Sequence, residues 1–261
     1  MRNAQGKNAD SVAEWWPHKM ENALLVGLSA QIALRRNMDI IANNLANVST
    51  AGFKRETPMF EELLASIEAD TGSMREVSFV RDWGVLRDMT SGPLLQTGSA
   101  FDVAVEGNGM LVVRTAEGDR YTRDGHLKLD AQGQIVTANG DPILGDGGPI
   151  SVPAGVTDIK IADDGTVSTP QGVIGRFAVV SFPPAALTKE GKNLYSAEGT
   201  PEPAQNTRIL QGMIERSNVE PVYEMTQMIE VLRAYQHSTE QLNATDDLIR
   251  RALQRLGEVK V

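Results

Sequence analysis

Ser217-Asn218-Val219-Glu220-Pro221-Val222-Tyr223-Glu224-Met225 opens the longest periodic run in the chain and decides its architecture. Ser217 and Glu220 stand at the spacing of a capping box, and Pro221 falls in a first turn, where its missing N–H is tolerated. From there Met225, Met228, Leu232, Tyr235, Thr239, Leu242, Ile249, Leu253 and Leu256 recur at helical spacing. Val222 and Ile229 widen that stripe and Asp246 interrupts it. The spacing predicts one helix from Ser217 to Leu256, closed by Gly257. At 1.5 Å per residue it is about 60 Å long.

A second helix is expected from Met20 to Val48. Leu34, Met38, Ile41, Leu45 and Val48 alternate steps of four and three, and only Gly27 interrupts the run of helix formers. Gly52, just past the last periodic residue, reads as the stop. This helix spans about 43 Å. Met1 to Lys19 is polar, carries Trp15, Trp16 and Pro17, and lacks the apolar core of a secretory signal. It reads as a disordered extension upstream of a natural start at Met20.

Between the helices, glycine and proline become frequent and helical periodicity stops. Phe101-Val103-Val105, Leu111-Val113, Leu127-Leu129, Ile159-Ile161 and Val173 to Val180 are short strand-like runs. Asp124-Gly125, Gln132-Gly133, Asn139-Gly140 and Asp164-Gly165 mark turns between them. The expectation is an α+β chain with a mainly antiparallel β domain over 77–206. Residues 20–76 supply the first helix and a linker, and 207–261 the last helix.

A compact domain of roughly 130 residues has a radius of gyration near 14 Å, so a 60 Å helix outruns it. Each apolar side chain left wet forgoes about 1.5–3 kcal/mol of burial. Two arrangements answer that cost. The terminal helices pair into a coiled-coil-like stalk whose remaining face is covered by other chains, or both fold back over the sheet. Periodicity alone does not separate the two.

The formal net charge of −9, with 34 acidic against 25 basic residues and no basic cluster, argues against nucleic-acid binding. With no cysteine, disulfides, thiolate metal sites and cysteine nucleophiles are excluded. No run of 18 apolar residues is present, so no membrane-spanning helix is expected. His18, His126 and His237 share no metal-ligand spacing. Gly107-Asn108-Gly109 lacks the strand-to-helix context of a nucleotide loop, and Asp163-Asp164-Gly165 lacks the rest of a calcium series. The sequence points to no cofactor, no metal and no catalytic residue.

Three segments carry a specific likeness. Ala42-Asn43-Asn44-Leu45-Ala46-Asn47-Val48-Ser49-Thr50-Ala51-Gly52-Phe53-Lys54 ends the first helix. Val105-Glu106-Gly107-Asn108-Gly109, then Tyr121-Thr122-Arg123-Asp124-Gly125 through Asp130 to Gly145, occupy the middle. The third is the Ser217–Met225 stretch, continuing Met228-Ile229-Glu230-Val231-Leu232-Arg233-Ala234-Tyr235. In kind and order these resemble the bacterial flagellar rod and hook proteins, from Met20 to the C-terminus. Met20-Glu21-Asn22-Ala23-Leu24-Leu25-Val26-Gly27-Leu28 and Arg87-Asp88-Met89-Thr90-Ser91-Gly92-Pro93-Leu94 look most like a proximal rod subunit. A distal rod subunit shares most of the remaining pattern. Met110, where the family generally has an aromatic, and Leu232, where many relatives have Gln, depart from it.

The resemblance implies a structural subunit of the flagellar basal-body rod. It implies export through the flagellar type III apparatus without signal cleavage, and a periplasmic place in the rod. The implied partners are copies of the chain and other rod subunits, the distal rod protein above all. The residues expected at the assembly interface are Leu34, Met38, Ile41, Asn43, Asn44, Leu45, Asn47, Val48, Gly52 and Phe53 from the first helix and its exit. From the last helix come Asn218, Val219, Pro221, Met225, Met228, Ile229, Leu232, Tyr235, Leu242, Ile249 and Leu253. Asn43, Asn44 and Asn47 are poor helix formers whose amides can pair with backbone or partner groups.

Overall fold

The computed structural model describes residues 10–68, 74–156, 158–204 and 206–258. It has the expected order of helix, strand-rich middle and helix. The chain divides into two compact units, one made of Met1–Asn43, Glu56–Leu86 and Val222–Val261, the other of Asn44–Arg55 and Arg87–Pro221.

The first unit holds the long helices α1 (Asp10–Ala46) and α2 (Pro221–Glu258). α1 begins well before Met20, so the stretch read as a disordered extension is helical from Asp10 onward. Pro17 lies inside it, a residue that costs a backbone hydrogen bond and ordinarily marks a helix limit. Residues 1–9 lie outside the described residues. α2 starts at Pro221 instead of Ser217, because the Ser217 hydroxyl is used earlier. It accepts a hydrogen bond from the Val219 N–H at 3.2 Å, a local turn that competes with a helix cap.

α1 and α2 touch at Gln31–Thr239 and at Gly27–Leu242. The Gln31 side-chain amide donates to the Thr239 hydroxyl at 2.9 Å, and that hydroxyl donates to the Tyr235 carbonyl at 2.9 Å. One turn back along α1, Gly27 faces Leu242, whose Cδ2 lies 2.5 Å from where a Cβ on residue 27 would stand. Residue numbers rise along one helix as they fall along the other, so the contact is antiparallel. Counted on from Gly27 and Leu242 in steps of three and four, the sequence pairs Leu34 with Tyr235, Met38 with Val231 and Ile41 with Met228. Ile41 and Val231 are buried, and Leu34, Met38, Met228, Tyr235 and Leu242 are half-buried.

The remaining element of this unit is a strand pair that the periodicity did not foretell. Strands β1 (Glu56–Glu68) and β2 (Met74–Arg87) form a two-stranded sheet; β1 lies where a linker was expected, and β2 runs from the end of that linker into the start of the expected β domain. Met59 and Phe60 are adjacent and both exposed, so the ribbon has apolar groups on two faces and no alternation to read.

The second unit is the β core. β3 (Leu94–Gln96), β4 (Val103–Glu106), β5 (Met110–Thr115) and β6 (Gly118–Thr122) come first. β5 and β6 are central in a six-stranded sheet ordered Leu187–Gly191, Leu194–Ala197, β6, β5, Val179–Ser181, Glu202–Pro203. The strand pairings in it are antiparallel. Val103, Leu111, Val113, Ile135, Ile143, Val167 and Ile209 pack in one buried cluster. The expected run from Val173 to Val180 is two strands, Gly172–Arg176 and Val179–Ser181. The core also continues past Asn206. Arg208–Gln211 pairs with β4 and Met213–Glu215 pairs with β3, so residues assigned to the helical C-terminal part complete the sheet layer.

Candidate assembly site

The chain leaving α1 turns sharply before entering the β core. Thr50 N–H donates to the Asn47 carbonyl at 3.1 Å and Phe53 N–H to the Thr50 carbonyl at 3.3 Å. Gly52 takes φ +66°, and a Cβ there would lie 2.4 Å from the Arg123 carbonyl carbon. A glycine is required twice over, for the left-handed backbone and for the close approach. Its N–H donates to the Glu215 carbonyl oxygen at 2.8 Å, which ties the exit of α1 to the strand that leads into α2.

Beyond the turn lies a buried charge cluster. Lys54 Nζ donates to Glu215 Oε1 at 2.6 Å and to the Thr90 carbonyl at 2.7 Å. Gly92 N–H donates to the same Oε1 at 2.8 Å. Arg123 Nη1 reaches Glu215 Oε2 at 3.3 Å and the Val105 carbonyl at 2.9 Å, while its Nη2 donates to the Gly107 carbonyl. The Lys54 and Glu215 side chains are 0% and 1% exposed. One carboxylate thus faces two cations, and carbonyl oxygens take other protons of both cations. Burial pulls the Lys54 ammonium below its ordinary pKa, with Glu215 opposing that shift. Burial acts on the Arg123 guanidinium in the same direction, again against Glu215.

Asn218 joins the same place from the other side. Its Oδ1 accepts from the Arg55 N–H at 2.7 Å, and its Nδ2 donates to the Asp88 carbonyl at 2.9 Å and the Thr90 carbonyl at 3.2 Å. Phe53 is buried, with the Lys189 ammonium 4.1 Å from its ring centre. The Asn193 side chain donates to the Ala51 carbonyl at 2.6 Å. The three sequence segments therefore converge on one joint: Gly52 to Lys54 from the first, Gly107 and Arg123 from the second, Asn218 and Val219 from the third, with Glu215 supplied by the strand just ahead of it.

This sorts the expected interface residues into three groups. Gly52, Phe53, Asn44, Val219 and Ile41 are buried within the chain, and Asn218 spends its amide on the joint. Leu34, Met38, Leu45, Asn47, Val48, Met228, Tyr235, Leu242 and Ile249 are half-buried. Asn43, Pro221, Met225, Ile229, Leu232 and Leu253 are exposed. The stripe read along the last helix is thus two rows. Met228, Tyr235, Thr239 and Leu242 follow the half-buried one, whereas Val222, Met225, Ile229 and Leu232 form an outer row between 43% and 72% exposed. α1 has an outer row of its own in Leu25, Leu28 and Ile32, each at least half exposed.

Periodicity did not single out Lys54, Arg123, Glu215, Val231 or the Leu25–Leu28–Ile32 row. The signal for the cluster was a basic residue inside each of the first two segments, Lys54 and Arg123, while Glu215 lies two residues ahead of the third. Elsewhere Asp164 closes its own turn, accepting from the Thr166 N–H at 3.0 Å and hydroxyl at 2.9 Å. His126 Nδ1 lies 2.8 Å from Asp102 and His237 Nδ1 lies 3.6 Å from Glu240, in different elements. Among the described residues no group of three or more His, Asp or Glu could hold a metal ion, and no helix is long and apolar enough to cross a membrane.

Comparison with known proteins identifies the same three regions. Residues 24–54 match the family described as flagella basal body rod protein. Residues 104–169 match the flagellar hook protein FlgE/F/G D1 domain, and 210–255 the flagellar basal body rod FlgEFG protein C-terminal. The chain is 40% identical to the flagellar basal-body rod protein FlgF of Caulobacter vibrioides, over 92% of its own length and 100% of the relative's. It is 32% identical to the FlgF of Mesorhizobium japonicum, over 91% and 99% of the two chains. It is also 37% identical to the flagellar basal-body rod protein FlgG of Buchnera aphidicola, over 87% and 96%.

Proposed function

Because the chain belongs to the flagellar basal-body rod protein family, we propose that it acts as a structural subunit of the proximal rod and carries out no catalysis. The observation that supports this most is the pair of apolar rows on the outside of the helices. Leu25, Leu28 and Ile32 on α1 and Val222, Met225, Ile229 and Leu232 on α2 are spaced as helix-packing rows yet stand in solvent. Covering each such side chain is worth about 1.5–3 kcal/mol, so neighbouring rod subunits gain most by seating there.

In this reading the helices pair in a coiled-coil-like manner and help line the export channel. Copies of the chain and related rod subunits, the distal rod protein first among them, cover the outer rows. Heterologous contacts of that kind propagate as an open helix, which suits a shaft that transmits torque. The chain travels through the flagellar type III apparatus without losing a signal peptide and takes its place in the periplasmic part of the basal body. The ends of the helices order fully only when neighbours cover them.

A distal rod subunit is the second reading, favoured by the 37% identity to a FlgG relative. The test is photo-crosslinking from residues 28 and 229 in intact basal bodies, with partner identification and subunit counting. Crosslinks to rod subunits and a copy number of a few per basal body are expected. Tens of copies favour the distal reading, and no rod component captured from either position removes both.

A further inference from the structure

We infer that Gly27 is a notch in α1 that receives Leu242 of the same chain and thereby sets the axial register of the terminal helix pair. Glycine is among the least favourable residues inside a helix, so its place in the middle of α1 calls for a packing reason. The structure supplies one: the Leu242 Cδ2, Cγ and Cδ1 atoms stand 2.5, 3.2 and 3.5 Å from the position of a Cβ on residue 27. Any side chain there displaces the leucine.

The second contact fixes the sense and phase of the pairing. Gln31 lies one turn after Gly27, Thr239 lies just under one turn before Leu242, and their side chains are joined by a 2.9 Å hydrogen bond. A knob in a notch with an adjacent polar clasp accepts one register and penalises slips. A slip of one turn sets Leu242 against a residue that carries a Cβ, alanine at the least, and leaves the Gln31 amide without its hydroxyl partner. An apolar row alone does not discriminate in this way, since leucine and methionine repack against one another at low cost. Gly27 and Leu242 are therefore positioning residues for the pair, independent of which neighbours later cover the outer rows.

The chain has no cysteine, so introduced thiols report register cleanly. The experiment uses Leu34→Cys with Tyr235→Cys, which the register brings level, and Leu34→Cys with Met228→Cys, which is off by about 10 Å. Both are made in the full-length chain and oxidised in basal bodies isolated from motile cells. A disulfide within one copy is expected for the first pair and not for the second, since the bond bridges only Cα atoms closer than about 7 Å. Adding Gly27→Val to the first pair lowers that yield roughly five- to thirtyfold, or prevents incorporation, through overpacking. Adding Leu242→Ala as well restores it to within about twofold, because the pocket is emptied as the notch is filled. A level pair that fails to close, or that closes between two copies, overturns the register. An undiminished yield with Gly27→Val, or no recovery with Leu242→Ala, overturns the notch. Motility of the cysteine parents scores the rod reading separately.

Discussion

The Lys54 ammonium lies 2.6 Å from Glu215 Oε1 with both side chains closed off from solvent, although the two residues come from opposite ends of the chain. Removing the carboxylate leaves Lys54 and Arg123 as uncompensated buried cations. Glu215→Gln is expected to cost about 3–5 kcal/mol, read as a fall in the denaturant midpoint of the purified chain. Lys54→Met is expected to cost less, because Arg123 still pairs with Glu215 at 3.3 Å. Equal losses for the two variants would contradict a shared hub.

Gly52 separates backbone strain from crowding. Gly52→Asn keeps a residue tolerant of positive φ, whereas Gly52→Ala does not. With a Cβ only 2.4 Å from the Arg123 carbonyl carbon, crowding dominates. Both variants should lose more than about 1–2 kcal/mol. An asparagine variant with the wild-type melting temperature would show that the approach can relax.

Asn218→Ala removes the acceptor for the Arg55 N–H and a donor to the Asp88 and Thr90 carbonyls. A loss of about 1–3 kcal/mol is expected by equilibrium unfolding. Asn218→Asp keeps the acceptor but turns a carboxylate oxygen toward those two carbonyls, so it should cost at least as much as Asn218→Ala.

The outer rows respond differently. Leu28→Asp and Ile229→Asp replace exposed side chains, so the purified chain should unfold within about 0.5 kcal/mol of wild type. Swarming in soft agar should nevertheless be lost. Retained swarming in both variants would mean that these rows meet no neighbour.

Asp88 gives a pH signature. The Thr90 side chain and backbone N–H, the latter at 3.0 Å, hold its carboxyl below the ordinary value of 3.8. A lowered folded pKa means that the stabilisation is present above pH 3.8 and is lost as pH falls through the folded midpoint. Thr90→Val keeps the backbone donor and removes the hydroxyl, so the Asp88 midpoint followed by carboxyl NMR should move up towards 3.8.

Much of the fold was legible in the order of periodicities. Four-and-three spacing marked α1 and α2, and alternation with Gly turns marked the middle strands. The start of α1 was not legible because Pro17 masks the continuation to Asp10. β1 escaped because Met59-Phe60 and Leu63-Leu64 abolish the period of two that reveals a strand. The joint was legible as three motifs but not as one site. Lys54, Arg123 and Glu215 are brought together by tertiary structure, and no spacing in the sequence joins them. The two rows of α2 were merged into one stripe because Met225 and Met228 are equally apolar; only burial tells the inner from the outer.

The hydrogen bond from Gly52 to Glu215 has an architectural consequence. It pins the chain where it leaves one long helix to the place where it prepares for the other, so residues 53–214 form an excursion that starts and finishes at a single point. Such an excursion is a cassette. Strands can be lengthened, loops enlarged or a further lobe inserted within it, and the two helices still depart from the same tether. The middle of the chain can therefore vary in size while the two helices keep one common anchor.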